Sequence, residues 1–218
     1  MKNKNSAVED KARKIFETLP DEIDGFTLEK IFAETEDKFF YFTFDNKKIH
    51  RSVTAYFHEE TFEFKLRAKI GLNEFCLTEF FTSDFEIFAK KINADISSVI
   101  KKLSDSKDTN PLIKKQNLSA WKYGQNLPKN LEGFELFISP ENPVAFTNGS
   151  HIIINYSDFE NHSDLTIYYN IYANNFSAES RKKDVSNVVY SLDSENLQEL
   201  ESNLEKNLAA ELSALVVS

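Results

Sequence analysis

The sequence is sparing with the residues on which several kinds of architecture and chemistry depend. Its 218 residues include one cysteine, Cys76, so no internal disulfide forms and a disulfide-stapled scaffold is excluded. The five glycines are scattered, with no two in a phosphate cradle, so the glycine-rich loops that bind nucleotides are missing. The serine motif of the strand-turn-helix hydrolases is missing too. No apolar run approaches the ~20 residues that cross a bilayer, and the opening MKNKNSAVED has no apolar core of a secretory signal.

Positive charge is outnumbered and unclustered. The formal net charge is -9, with 18 basic against 21 acidic side chains over residues 1–109 and 8 against 14 over residues 110–218. A nucleic acid or an anionic membrane needs a clustered cationic stripe, so neither is an expected partner. The lone thiol and the missing signal point to a cytoplasmic setting.

What the chain does have is a hydrophobic content of 41%, enough for a sizeable core, and a phrase that occurs twice. LPDEIDGFTL at 19–28 returns as LPKNLEGFEL at 127–136. Leu-Pro ends a helix and an acidic residue followed by Gly makes a tight turn, so the phrase is structural punctuation.

The ends of the two halves match as well. Phe85, Phe88, Ile92, Ile96, Ile100 and Leu103 keep the spacing of one helical face. So do Leu197, Leu200, Leu204, Leu208, Leu212 and Leu215. Ser83 with Glu86 forms a capping box for the first helix, and Asp193 or Ser194 caps the second. The stripe lacks a sustained heptad and reads as a helix lying on a sheet.

Between phrase and helix each half reads as short strands. Phe62, Phe64, Leu66, Ala68 and Ile70 alternate with Glu63, Lys65, Arg67 and Lys69, which predicts a half-buried antiparallel strand. Strands are expected around it near 26–33, 39–44, 49–58 and 74–81. In the second half LTIYYNIYA takes that place, with Leu165, Ile167, Tyr169, Ile171 and Ala173 inward. Its neighbours are expected near 134–138, 144–147, 151–157 and 185–192. A helix is expected before each phrase, over 7–20 and, more weakly, over 111–128.

These patterns predict an α+β protein of two tandem, pseudo-twofold-related copies of one unit: helix, about five antiparallel strands, long amphipathic helix. The first copy spans 1–104, the polar SDSKDTNP stretch supplies a linker at 105–111, and the second copy spans 112–218.

Candidate chemistry is thin. Asp158, Glu160, His162 and Asp164 alternate, but a calcium loop starting at Asp158 lacks its central Gly and its terminal Glu. His58-Glu59-Glu60 opens like a zinc-protease helix, but Phe62 stands where the second histidine belongs. No metal ligand set, cofactor or catalytic residue is assigned. The expected function is a non-catalytic protein-protein interaction, for example as an acidic antagonist of a basic partner. The alternative is a small-molecule binder or enzyme using an apolar cavity between sheet and helices. The expected partner-binding residues are Tyr168, Asn170 and Tyr172, because tyrosine and Asn in place of charges suit an interface.

Overall fold

The computed structural model describes residues 12–35, 37–104, 113–114, 116–147 and 149–216. It is an α+β protein with two antiparallel sheets, and the chain divides into two compact units, residues 1–105 and 106–218. Residues 105–111, the expected linker, lie outside the described residues, as do residues 1–11, which include the start of the helix expected over 7–20. Among the described residues no helix is long and apolar enough to cross a membrane.

In the first unit, residues 12–16 are helical and bury Ala12 and Phe16. The helix stops before Leu19-Pro20, as the proline requires. Asp24 and Gly25, at φ 47 and 80, then join β1 (Glu22–Ile23) to β2 (Phe26–Glu34). Both turn residues need positive φ in the tightest hairpins, which is why the phrase carries Gly at its second turn position. The strands β3 (Lys38–Asn46), β4 (Arg51–His58), β5 (Glu63–Ile70) and β6 (Asn73–Cys76) complete a meander in the order β1-β2-β3-β4-β5-β6. On β5, Phe64, Leu66, Ala68 and Ile70 are buried, but Phe62 stands exposed in the preceding turn at φ 54. Helix α1 (Phe85–Ser104) buries all six positions of its stripe. Its Phe88 ring stacks on Phe64 at 5.5 Å.

The second unit opens differently from expectation. Instead of one continuous helix over 111–128, the described residues are helical at 113–114, make a 3-10 turn at Leu118–Ala120 and then one helical turn at Lys122–Gln125. Gly124 lies flush against the Trp121 ring, where a Cβ would come within 2.4 Å, so the segment wraps the tryptophan. There follow β7 (Asn130–Leu131), β8 (Phe134–Ile138), β9 (Val144–Ala145), β10 (Ser150–Asp158), β11 (Ser163–Asn170), β12 (Asn175–Lys182) and β13 (Val185–Val188). The order is β13-β12-β11-β10-β8-β7, with β9 also on β10. Pro140 and Pro143, which cannot donate to a ladder, separate β8 from β9. Helix α2 (Leu197–Leu215) closes the core with Leu200, Leu204, Leu208, Leu212 and Leu215.

Strand β12 was not expected. The LTIYYNIYA strand ends at Asn170, and Ile171 and Ala173 belong to the turn before β12. The reason is local: the Asn170 side chain accepts from the backbone N–H of Tyr172 and Ala173, both at 2.9 Å, and folds the chain back. The helix caps also shift by a residue or more. Asp84, not Ser83, accepts from Glu86 and Ile87 N–H. Asn196 accepts from Glu199 N–H while the Glu199 carboxylate accepts from Glu195 N–H, so Asp193 and Ser194 are free for the sheet.

Positions in the two units correspond closely. Phe134 of β8 stands 108 residues after Phe26 of β2, and from β3 onward each strand begins 112 residues before one of the second sheet. The four added residues fall in the proline-broken stretch and the turn after it. Positive φ recurs at His50 and His162, Phe62 and Asn174, and Gly71 and Lys183. An extra residue interrupts the ladder between Phe40 and Phe42 and again between Ile152 and Ile154. The isolated bridges Phe64–Thr82 and Phe176–Ser194 are also 112 apart.

Candidate interaction surface

The expected trio Tyr168, Asn170 and Tyr172 does not share one open face. Tyr168 is 7% exposed on the sheet, its ring 5.4 Å from Phe146, and burial pushes its phenol pKa up. Asn170 is the turn-former described above. Tyr172 is 80% exposed at the tip of that turn. The face of β10, β11 and β12 away from α2 is instead a buried polar network. Asn155 Nδ2 donates to Asp164 Oδ2 at 3.1 Å and to Thr166 Oγ1 at 2.7 Å, Ser157 Oγ donates to Asn155 Oδ1 at 2.6 Å, and Arg181 Nε donates to Asp164 Oδ1 at 3.3 Å. Burial pushes the Asp164 carboxyl above its ordinary range, against the pull of Arg181 and the hydrogen bonds. Such a network fixes one register for the central strands.

The alternating acids of 158–164 disperse. Asp158 caps its own turn through Asn161, His162 Nδ1 lies 3.3 Å from Asp184 Oδ1, and Asp164 belongs to the buried network. Among the described residues no three His, Cys, Asp or Glu side chains are placed to hold a metal. Cys76 Sγ lies 3.3 Å from the Tyr56 hydroxyl. Asp37, His58 and Thr61 form a series, with His58 Nε2 3.2 Å from Asp37 Oδ2 and Nδ1 3.0 Å from Thr61 Oγ1. Lys38 first, and His58 with it, hold the Asp37 carboxyl below the usual range. That order of groups suits nucleophile activation, but here it ties the β2–β3 turn to the β4–β5 turn on the surface. Two clefts, of about 570 Å³ at Glu22, Thr27, Glu29 and Lys48 and about 340 Å³ at Lys129, Asn130, Glu135 and Glu141, are open and lined mainly by polar residues.

The exposed apolar side chains lead elsewhere, to the edge of the second sheet. All four residues of β13 are exposed, Val185 at 64% and Val188 at 54%, and Tyr190 just beyond is 79% exposed. The strand 112 residues earlier, β6, buries Asn73 and half-buries Phe75 and Cys76. Lys183 and Asp184, at φ 50 and 67, make a two-residue turn into β13 whose closing pair is Lys182 and Val185. In such hairpins the closing pair is hydrogen-bonded, and bonding alternates from there. Val189 N–H donating to Ala178 at 2.9 Å fixes the same alternation. The backbone groups of Val185 and Asn187 therefore point to β12, and those of Ser186 and Val188 point outward.

The sequence signal for this edge was present: VSNVVYSL, residues 185–192, is uncharged and lies between Lys182-Lys183-Asp184 and Asp193. Its composition alone predicts only a strand near 185–192. No family model, no curated protein and no solved structure matches this chain.

Proposed function

We propose that this protein is a non-catalytic, cytoplasmic protein-binding protein made of two tandem copies of one unit, and that it binds through the β13 edge of the second. The observation that carries the reading is the edge itself. An edge strand is a template for another strand, and proteins ordinarily blunt it with charge, proline, brevity or cover. Here a four-residue edge carries outward Ser186 and Val188 backbone groups, two exposed valines and an exposed tyrosine, with no charge on the strand. Added strands gain affinity from main-chain hydrogen bonds and specificity from flanking side chains. Tyr172, at the β11–β12 turn, lies against Gly149 just before β10 and is separate from the β13 edge.

The duplication is supported by the 112-residue correspondence of register, bulge and turn conformation. It matters to function because one copy retains a half-covered edge while the other opens it.

The test is capture of stoichiometric protein by the tagged full-length chain, compared with Val188→Pro. Proline at 188 removes an outward donor and leaves the β12 ladder whole. Loss of the captured protein, with the far-ultraviolet circular dichroism and melting temperature kept, is the expected result. Equal capture by both chains would refute the β13 assignment.

A further inference from the structure

We propose that the strand received by β13 is the β13 of a second copy of this chain, the two pairing antiparallel about a twofold axis through Asn187. This rests on the reading of β13 as the binding edge.

The geometry selects one register. A twofold axis normal to an antiparallel pair must set some residue opposite its own copy, because opposed side chains share a face. The outward-facing residues are Ser186 and Val188, two apart. Placing Asn187 opposite Asn187 sets Ser186 opposite Val188 on both sides of the axis, and the four outward N–H groups and carbonyls of this pair of residues complete two hydrogen-bonded rungs. Any other symmetric register leaves some of those groups unmade.

The side chains agree with that register. Asn187 meets Asn187, a self-complementary amide pair. Val185 falls opposite Val189. Charge agrees as well, since chains of net charge -9 must meet where they are neutral, and 185–192 carries none. The two Asp184 carboxylates lie six strand positions apart, roughly 20 Å, or about two Debye lengths at physiological salt.

The other sheet ends are poorer templates. β1 and β7 have two residues each, and β6 is partly covered. Two four-residue edges bury less than the roughly 1,200 Å² of stable complexes, so the dimer is weak and concentration-dependent.

Sedimentation of the full chain over a wide concentration range tests this. A monomer that becomes a dimer as concentration rises is expected, with Val188→Pro and Val188→Lys both remaining monomeric. In a Cys76→Ser background, Asn187→Cys is expected to cross-link to its own copy several-fold more than Val185→Cys, because only position 187 brings its two copies within disulfide reach. A wild-type chain that stays monomeric throughout overturns the proposal, as does a dimer indifferent to both Val188 variants or equal cross-linking at 185 and 187. If the chain stays monomeric while Val188→Pro still abolishes capture of a different protein, self-pairing falls and the edge reading stands. If capture is also unchanged, both fall.

Discussion

The two sheets share strand order, register from β3 onward, the bulge and the turn conformations, yet they part company at their outermost strands and at the far ends of their helices. Near the centre the substitutions are quiet: Thr54 and Tyr56 of β4 stand 112 residues before Thr166 and Tyr168 of β11. A central strand is constrained by neighbours on both sides, so its polar positions are hard to change one at a time. At the edge, where one neighbour is absent, Asn73 and Cys76 stand where β13 has Val185 and Val188. The helix ends show a different lesson. The last carbonyls of any helix lack partners and carry partial negative charge. Arg51 on β4 donates to the Leu103 carbonyl in the first unit, whereas Lys182 on β12 donates to Ala214 at 2.7 Å in the second. Ser163 stands 112 after Arg51, and Ile70 stands 112 before Lys182. The architecture sets the need for a cation there, and the two units meet it from different strands.

The correspondence can be broken most forcefully in the core. Ile96 and Leu208, 112 apart and both buried, should each lose about 2–5 kcal/mol on truncation to Ala. Lys91→Ala and Glu205→Ala should change stability by under about 0.5 kcal/mol. Denaturant titration of the four variants decides it, and a Leu208→Ala effect no larger than that of Glu205→Ala would show that the helices are not equivalent.

The caps sharpen the comparison at intermediate size. Arg51 is buried, so Arg51→Met should cost about 1.5–3 kcal/mol, the range for a hydrogen bond to a charged group. Lys182 is exposed, and Lys182→Met should cost no more than about 1 kcal/mol. Melting temperatures in low and high salt separate them, because only the exposed cation is strongly screened.

The smallest effect is a slope with pH. The folded Asp164 carboxyl is raised above its ordinary value of 3.8, so its contribution to stability is full below that value and is lost as pH rises through the folded one. Asp164→Asn should flatten that part of the stability profile, measured by urea unfolding at a series of pH values. The position 112 earlier is Ser52, which does not titrate there.

Both long helices were legible because a 3.6-residue stripe of large apolar side chains has no competing interpretation at that length. β5 was legible because its outward face is charged, which gives alternation its contrast. β11 is buried on both faces from Ser163 to Tyr169, so nothing in its side chains marks where it stops, and the apolar alternation ran on through Ile171 and Ala173. The stop signal was Asn170, a backbone-bonding side chain hidden in an asparagine-rich chain. That turn also conceals β12, whose inward residues after Phe176 are the small Ala178 and Ser180 and give no apolar alternation. Without it β11 aligns with β5, when its place in the meander is that of β4, and Tyr168 and Tyr172 fall on one supposed surface. For β13 the uncharged run VSNVVYSL is visible in the sequence, but the alternation of a short apolar strand does not say which of its sides is bare.

The interruption of the ladder at Tyr41 and at Ile153 works like a frameshift in a two-letter text. Before it, the side chains of β3 facing the helix have odd numbers, as at Phe39; after it they have even numbers, as at Phe42 and Phe44. Tyr41 and Phe42 both turn toward the core, as do Ile153 and Ile154. Deleting one residue elsewhere in β3 or β10 would invert every side chain up to the next turn. Deleting Tyr41 or Ile153 alone would leave both flanks in frame, so these two positions are the ones at which a strand of this fold can gain or lose a residue and still be read correctly by its neighbours.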